Sequence, residues 1–331
     1  MKQYKVAVVG ATGMVGRKML EVLAEHKVPV GELVPFASAR SAGGKIEFCG
    51  KEYEIIELTE QNVKACKADY ALFSAGAGVS KTFAPIFAEC GAVVIDNSSQ
   101  WRMDESVPLV VPEVNPAAIK LNRGIIANPN CSTIQAVVAL APLHKAFGIK
   151  RIVYSTYQAV SGAGVGGYND LLGGISGEAP KKFPRPIFAN VLPHIDVFLP
   201  NGYTKEEEKM IKETRKILGD DSLRITATTV RVPVYYGHSE SINVEFEKPA
   251  KADEVRKVLE KADGVVVMDD SANAVYPTPR ELENRDEVFV GRIRQDESVP
   301  SGVNLWVVAD NIRKGAATNA VQILEYIISG K

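Results

Sequence analysis

The sequence predicts an α/β chain of two domains: a parallel-sheet domain built first and an α+β domain with a largely antiparallel mixed sheet built second. Three observations predict this. Short apolar runs at Tyr4–Val9, Leu33–Ala37, Tyr70–Phe73 and Val93–Asp96 alternate with helix-period segments, the pattern of strands joined by crossover helices. The first run ends in a glycine turn, Gly10-Ala11-Thr12-Gly13-Met14-Val15-Gly16, that opens a helix. The second half instead carries longer, β-branched alternating runs with fewer helices between them.

Composition bounds the rest. The 331 residues suffice for two domains, and a net charge of −1 gives no global field toward nucleic acid or an anionic membrane. No window reaches the length of a membrane span. Cysteines 49, 66, 90 and 131 form no CxxC pair and no Cys/His metal spacing. Free thiols, no metal site and a cytoplasmic location are therefore expected.

In chain order, the glycine turn after strand 4–9 is suited to a pyrophosphate, because glycines allow close backbone approach and a helix N-terminus favours anions. The second strand ends in Ser38-Ala39-Arg40-Ser41, where an acid would select NAD through the ribose 2′-hydroxyl. An arginine between serines suits a 2′-phosphate instead, so NADP is the expected cofactor. The alternative for Arg40 is a solvated loop residue. Strand Val93–Asp96 leads to Arg102, placed for an anionic group near the carboxyl end of a strand.

Asn128-Pro129-Asn130-Cys131-Ser132-Thr133 follows the run 124–127 and precedes an apolar helix. Ser132 and Gln135 have capping-box spacing, so the helix is expected to begin beside Cys131. A free thiol has a pKa of about 8.5, and a helix N-terminus favours its anion. Cys131 is thus either a nucleophile or a small apolar residue packing a helix start.

The strand Lys150–Tyr157 runs into Gln158 and the small-residue turn Ser161-Gly162-Ala163-Gly164. Residues 165–203, rich in Gly, Pro and Asn, read as an irregular excursion covering a partner subunit. Thr204–Leu218 is a helix with a Thr204/Glu207 capping box. On it, Glu206 and Lys209 read from pattern alone as an intrahelical ion pair. Arg224–Val234 is a strand holding Arg231, which needs an anion if buried. His238 follows in a tight connection and can serve as a base, whereas His26, His144 and His194 read as structural. A strand at Ile242–Phe246, helix Ala252–Lys261, strands Val265–Met268, Val288–Arg294 and Val303–Val308, and an apolar helix through Ile328 that returns to the first domain complete the chain.

A cysteine, a histidine, two arginines and an NADP turn fit acyl transfer coupled to hydride transfer. Five segments, in order, carry a specific likeness: 10–16, 128–133, 158–164, 231–241 and 310–317. Over essentially its whole length the chain resembles the aspartate-β-semialdehyde dehydrogenase family. That resemblance implies NADPH-dependent reduction of 4-phospho-L-aspartate to L-aspartate 4-semialdehyde through a cysteine thioester. The product would feed lysine, threonine, methionine and diaminopimelate synthesis. It implies that Cys131 is the nucleophile, His238 the general acid/base and Gln158 the group orienting the thioester. Arg231 would bind the α-carboxylate, with Glu206 near the amino group and Asn130 also at the substrate. Arg102 and Lys209 would hold phosphate. Gly10, Thr12, Gly13, Met14, Val15, Ser38, Arg40, Ser41, Ser161, Gly162 and Asn311 would line NADP. Residues 1–130 with 312–331 would form the Rossmann-like NADP-binding domain, and 131–311 the catalytic and dimerisation domain of a homodimer or homotetramer. Two rival readings are N-acetyl-γ-glutamyl-phosphate reductase, which usually has a different cysteine context, and a non-catalytic NADP-binding redox sensor, which leaves Arg102, Lys209 and Arg231 without a shared role.

Overall fold

A computed structural model describes residues 2–330. In chain order the elements are β1 (Tyr4–Val9), α1 (Met14–Glu25), β2 (Val30–Ala37), β3 (Lys45–Phe48), β4 (Lys51–Glu54), β5 (Ile56–Glu57), α2 (Glu60–Cys66), β6 (Tyr70–Phe73), α3 (Ala77–Glu89), β7 (Val93–Asp96) and β8 (Ile125–Ala127). Then come α4 (Cys131–Phe147), β9 (Ile149–Gln158), α5 (Gly164–Ile175), α6 (Lys205–Leu218), β10 (Arg224–Arg231) and β11 (His238–Phe246). The chain finishes with α7 (Ala252–Leu259), β12 (Val265–Val267), β13 (Val288–Gln295), β14 (Gly302–Ala309) and α8 (Thr318–Ser329). Contacts divide these into two compact units, residues 1–129 with 316–331 and residues 130–315.

The first unit is a six-stranded sheet in the order β5-β2-β1-β6-β7-β8, every pair parallel. Buried on both faces, its strands are apolar in consecutive residues rather than alternate ones. Val6 and Val8 of β1 join one core with Met19 and Leu23 of α1 and Val321 and Leu324 of α8. Ala7 and Val9 join the other, with Val63 of α2 and Phe87 of α3. The expected return of the C-terminal helix is therefore seen. A β3–β4 hairpin lies outside the expected elements. Its two-residue turn, Cys49-Gly50, has positive φ at both positions (49° and 73°), the I′ geometry that Asn-Gly would have announced.

The second unit is a mixed sheet in the order β10-β9-β11-β14-β13-β12. Its three central pairs are antiparallel and the two outer ones parallel. Two boundaries differ from expectation. His238 is the first residue of β11, not part of a connection, and residues 164–175 form a helix rather than an irregular excursion. Glycines at 164, 166, 167, 173 and 174 hide that helix from any propensity count. Tertiary packing holds it: Leu171 is buried with Val160, Ile187 and Leu192.

Candidate active site

In the first unit, the turn after β1 is sterically fixed. Gly10 has φ 85°, and a Cβ on it would lie 2.7 Å from the Ser74 carbonyl oxygen. A Cβ on Gly16 would lie 2.1 Å from the Gly10 carbonyl oxygen, so α1 can pack this close only without one. Gly13 is the N-cap of α1 and offers no side-chain acceptor, leaving the helix start open to an external anion. Thr12, Met14 and Val15 belong to the same turn. The Ser38 carbonyl accepts from the amides of Ser41 and Ala42, and this turn carries Arg40 into solvent. These residues fit a phosphorylated dinucleotide. Arg102, also in this unit, is buried and donates through Nη2 to the Asn97 carbonyl at 2.9 Å.

In the second unit, Cys131 is the first residue of α4. Its cap is Asn130, not Ser132: Asn130 Oδ1 accepts from the amides of Ser132 (3.0 Å) and Thr133 (3.2 Å). Gln135, freed from the capping role, donates to the main-chain carbonyl of His238 at 3.2 Å. Helix α6 clamps the cap at two points. The Asn130 amide donates to Glu213 at 2.6 Å, and Asn130 Nδ2 donates to Glu206 Oε1 at 2.8 Å. Gly315 packs against Cys131; a Cβ there would lie 2.8 Å from Cys131 Cβ.

Glu206 is the hub. It is buried and also accepts from Gln158 Nε2 (3.1 Å) and Lys209 Nζ (3.0 Å). Burial alone would raise its pKa, but the Lys209 charge and the Gln158 and Asn130 hydrogen bonds outweigh it and hold the carboxyl at about 2. The ion pair expected from the i, i+3 spacing is thus present, and Asp196 meets the same ammonium at 2.8 Å. The Thr204/Glu207 capping box of α6 is also present.

Arg231, Gln158 and His238 stand at one level on three adjacent strands. Arg231 pairs with Gln158, and Tyr157 pairs with Ser239, which brings the next residues, Gln158 and His238, abreast. One residue holds the outer two: the Ala159 carbonyl accepts from Arg231 Nη1 (2.7 Å) and its amide donates to His238 Nδ1 (3.0 Å). Arg231 Nε and His238 Nε2 are buried without a protein partner among the described residues. Burial, then the Arg231 charge, lowers the His238 pKa to about 3. Ser161 and Asn311 hydrogen-bond each other, and Asn311 Oδ1 accepts from the Gly237 amide at 2.9 Å. Gly162 lies against Arg231 and His238; a Cβ on it would come within 2.8 Å of Arg231 Nη1.

Two family models match the chain: the semialdehyde dehydrogenase NAD binding domain over residues 5–122 and the semialdehyde dehydrogenase dimerisation domain over residues 140–314. An aspartate-semialdehyde dehydrogenase of Aquifex aeolicus is 58% identical, over 98% of each chain. The chain belongs to the aspartate-semialdehyde dehydrogenase family. Among solved members, aspartate semialdehyde dehydrogenase II of Vibrio cholerae, complexed with ASA, is 50% identical over 99% of each chain, with a TM-score of 0.95. The Candida albicans member, solved with NADP, is 27% identical over 98% of each chain, with a TM-score of 0.79.

For this family member, sequence reasoning missed Glu213 and Glu240. Glu213 is one acid among many on a charged helix. Glu240 follows His238 by two on β11 and is fully buried, with neither carboxyl oxygen partnered among the described residues. An acid at an inward position of an alternating strand was the available signal. Burial raises its pKa well above the carboxylate range, so the native state keeps its proton while the unfolded chain ionises above about pH 4.3. That group therefore lowers stability as pH rises, by about 1.4 kcal/mol per unit until the folded group also ionises. Glu240→Gln is expected to unfold at a higher temperature than the wild type, with a gain that widens as pH rises above the ordinary carboxylate range in a thermal-unfolding series.

Proposed function

We propose that the chain catalyses NADPH-dependent reductive dephosphorylation of 4-phospho-L-aspartate to L-aspartate 4-semialdehyde, with Cys131 carrying the acyl group as a thioester. The observation that carries this reading is the constellation at the start of α4. A cysteine at a helix N-terminus shares its cap with a buried carboxylate, and an arginine with an uncommitted Nε–H stands on the adjoining sheet. A buried, unpaired guanidinium donor invites a carboxylate. A buried carboxylate held ionised invites an ammonium group. Together they describe an α-amino acid substrate.

In this reading Arg231 binds the α-carboxylate and Glu206 faces the amino group. Gln158, tied to Glu206, orients the acyl oxygen, and His238 hydrogen-bonds at the reacting centre. Lys209 and Arg102 are the phosphate ligands, Lys209 exchanging part of its ion pairing for the incoming anion. The nicotinamide cofactor supplies the hydride when bound. Gly10, Thr12, Gly13, Met14 and Val15 would hold its pyrophosphate end, and Ser38, Arg40 and Ser41 its 2′-phosphate. Ser161, Gly162 and Asn311 would line its other end. The test is phosphate-dependent reduction of NADP by the purified chain with L-aspartate 4-semialdehyde, run beside the N-acetyl-glutamate analogue. Turnover of only the acetylated aldehyde would sink the substrate assignment.

Arg40 carries the cofactor preference. Arg40→Ala is expected to lower kcat/KM for NADP roughly 10-fold to 100-fold while leaving NAD nearly unchanged, the cost of one charge-assisted contact. Steady-state kinetics with both cofactors reads this directly.

We place the enzyme in the cytoplasm, as a step toward lysine, threonine, methionine and diaminopimelate. Among the described residues no cysteine is in a disulfide, and no helix is long and apolar enough to cross a membrane. The second unit is the surface for self-association: Val165, Leu172 and Ile175 of α5, with Phe188 and Phe198 beyond it, expose apolar side chains. A homodimer is expected by light scattering, and Leu172→Glu with Ile175→Glu should shift it toward monomer.

A further inference from the structure

Arg231 is held by less than its burial suggests. Its guanidinium makes one hydrogen bond among the described residues, Nη1 to the Ala159 carbonyl, and its Nε is buried without a partner. Burial disfavours the charge, and the field of Glu206 only partly restores it. A carboxylate in direct contact would steady the cation, but it would also occupy the donors that a substrate needs. The face of an aromatic ring favours a cation without accepting from the fork. Such a face is present: the guanidinium stands over the Phe183 ring, with Cζ 5.8 Å from the ring centroid. Gly162 closes another side, since a Cβ on it would lie 2.8 Å from Nη1.

Phe183 belongs to residues 176–204, a strap that runs from α5 to α6 without a regular helix or strand. A ring carried by such a segment keeps its place only if the segment is fastened. Two anchors fasten it. The first is Asp170 on α5. Its Oδ1 accepts from the Lys181 amide, and its Oδ2 from the amides of Lys182 and Phe183, each at 2.8 Å. Asp170 is buried, and short bonds to an ionised acceptor are among the strong ones. The second anchor is Leu192. Its amide donates to the Arg231 carbonyl at 2.9 Å, and the Arg231 amide donates back at 2.8 Å. Apolar packing completes the seat, with Phe183 against the cluster of Val160, Leu171, Ile187 and Leu192. The glycines of α5 acquire a reason here. A Cβ on Gly167 would lie 3.0 Å from Phe183 Cζ and 2.5 Å from the Val160 carbonyl oxygen, so the strap can lie this close to the helix only beside glycine.

We infer that Phe183 and Asp170 are positioning residues for substrate binding: the ring fixes the plane of the Arg231 guanidinium with its uncommitted donor presented, and Asp170 fixes the ring. The inference rests on the reading of Arg231 as the α-carboxylate site. Both residues act through Arg231, and what they supply is preorganisation. A long side chain ordinarily loses rotamer freedom when it takes a ligand. A guanidinium already seated between Ala159, Gly162 and Phe183 has little left to lose. The seat therefore contributes to affinity for the carboxylate end of the substrate, and not to transfer of the hydride or of phosphate.

Steady-state kinetics on the full chain tests this with Phe183→Leu, Asp170→Asn and the double variant. Leucine keeps the seat apolar and removes the ring. Asparagine keeps the shape, but it must turn an NH2 group toward amides that now donate to the carboxylate. Each single variant is expected to raise KM for L-aspartate 4-semialdehyde roughly fivefold or more, with kcat and the KM values for phosphate and NADP within about twofold of wild type. The double variant should fall within about twofold of the worse single one, because Asp170 acts through the ring. Losses that multiply overturn the part given to Asp170. Thermal unfolding is run alongside. A lower Tm with an unchanged aldehyde KM in Phe183→Leu means that the ring serves folding alone, and overturns the inference. A rise in all three KM values, or a fall in kcat alone, also overturns it. Phe183→Leu decides the matter for the ring whether or not Asp170→Asn folds. A wild type that does not turn over L-aspartate 4-semialdehyde overturns the functional reading and this role together, whereas wild-type turnover with an unmoved aldehyde KM in the variants overturns this role alone.

Discussion

Replacing Cys131 by serine is expected to lower phosphate-dependent NADP reduction by roughly 10⁴-fold or more, the scale on which a covalent nucleophile is lost. Serine is nearly isosteric, but its hydroxyl ionises far less readily than a thiol at the same helix terminus. The loss should fall on kcat. NADP binding should be unchanged, because Cys131 is not among the residues assigned to the cofactor. Stopped-flow hydride transfer, with NADP titrated by fluorescence, separates the two. Retention of near wild-type turnover would remove the thioester from the mechanism.

Arg231→Lys should raise KM for the aldehyde roughly 30-fold or more, about 2 kcal/mol, at the low end of what a truncated buried charge pair costs. Charge is preserved in this substitution, so the test concerns geometry. The guanidinium donates Nη1 to the Ala159 carbonyl while keeping Nε free, and an ammonium cannot hold that fork. The Ala159 peptide also holds His238, so part of the loss should appear in kcat. A decarboxylated aldehyde gives the control: a substrate without the α-carboxylate should lose much less on the same substitution.

The sequence was most legible where the backbone itself does the chemistry. The glycine turn after β1 announces its function because no Cβ fits at Gly10 or Gly16. Cys131 was legible because a helix had to start near it, though the capping residue was misassigned by two positions. Ser132 has the right spacing to Gln135, but the helix starts earlier, with Asn130 accepting from the Ser132 and Thr133 amides, and its own amide and side chain are taken by α6. Those partners lie 83 and 76 residues away, beyond any local pattern. Glu206 and Lys209 illustrate the converse. The spacing correctly announced an ion pair, yet said nothing of Asn130 and Gln158, which make the carboxylate a hub. Helix α5 was hidden by its glycines, and the β3–β4 hairpin by charged strands and a turn without its usual residues.

The alignment of Arg231, Gln158 and His238 across three strands makes the site a reporter of sheet assembly. Side chains alternate faces along a strand, so a one-residue slip of β9, β10 or β11 would send one member to the opposite side of the sheet. The full alignment of the three does not survive such a slip. A chain that paired its strands wrongly would be silent, not promiscuous. Quality control of strand register and of reaction fidelity are therefore one event, completed when the three strands lock.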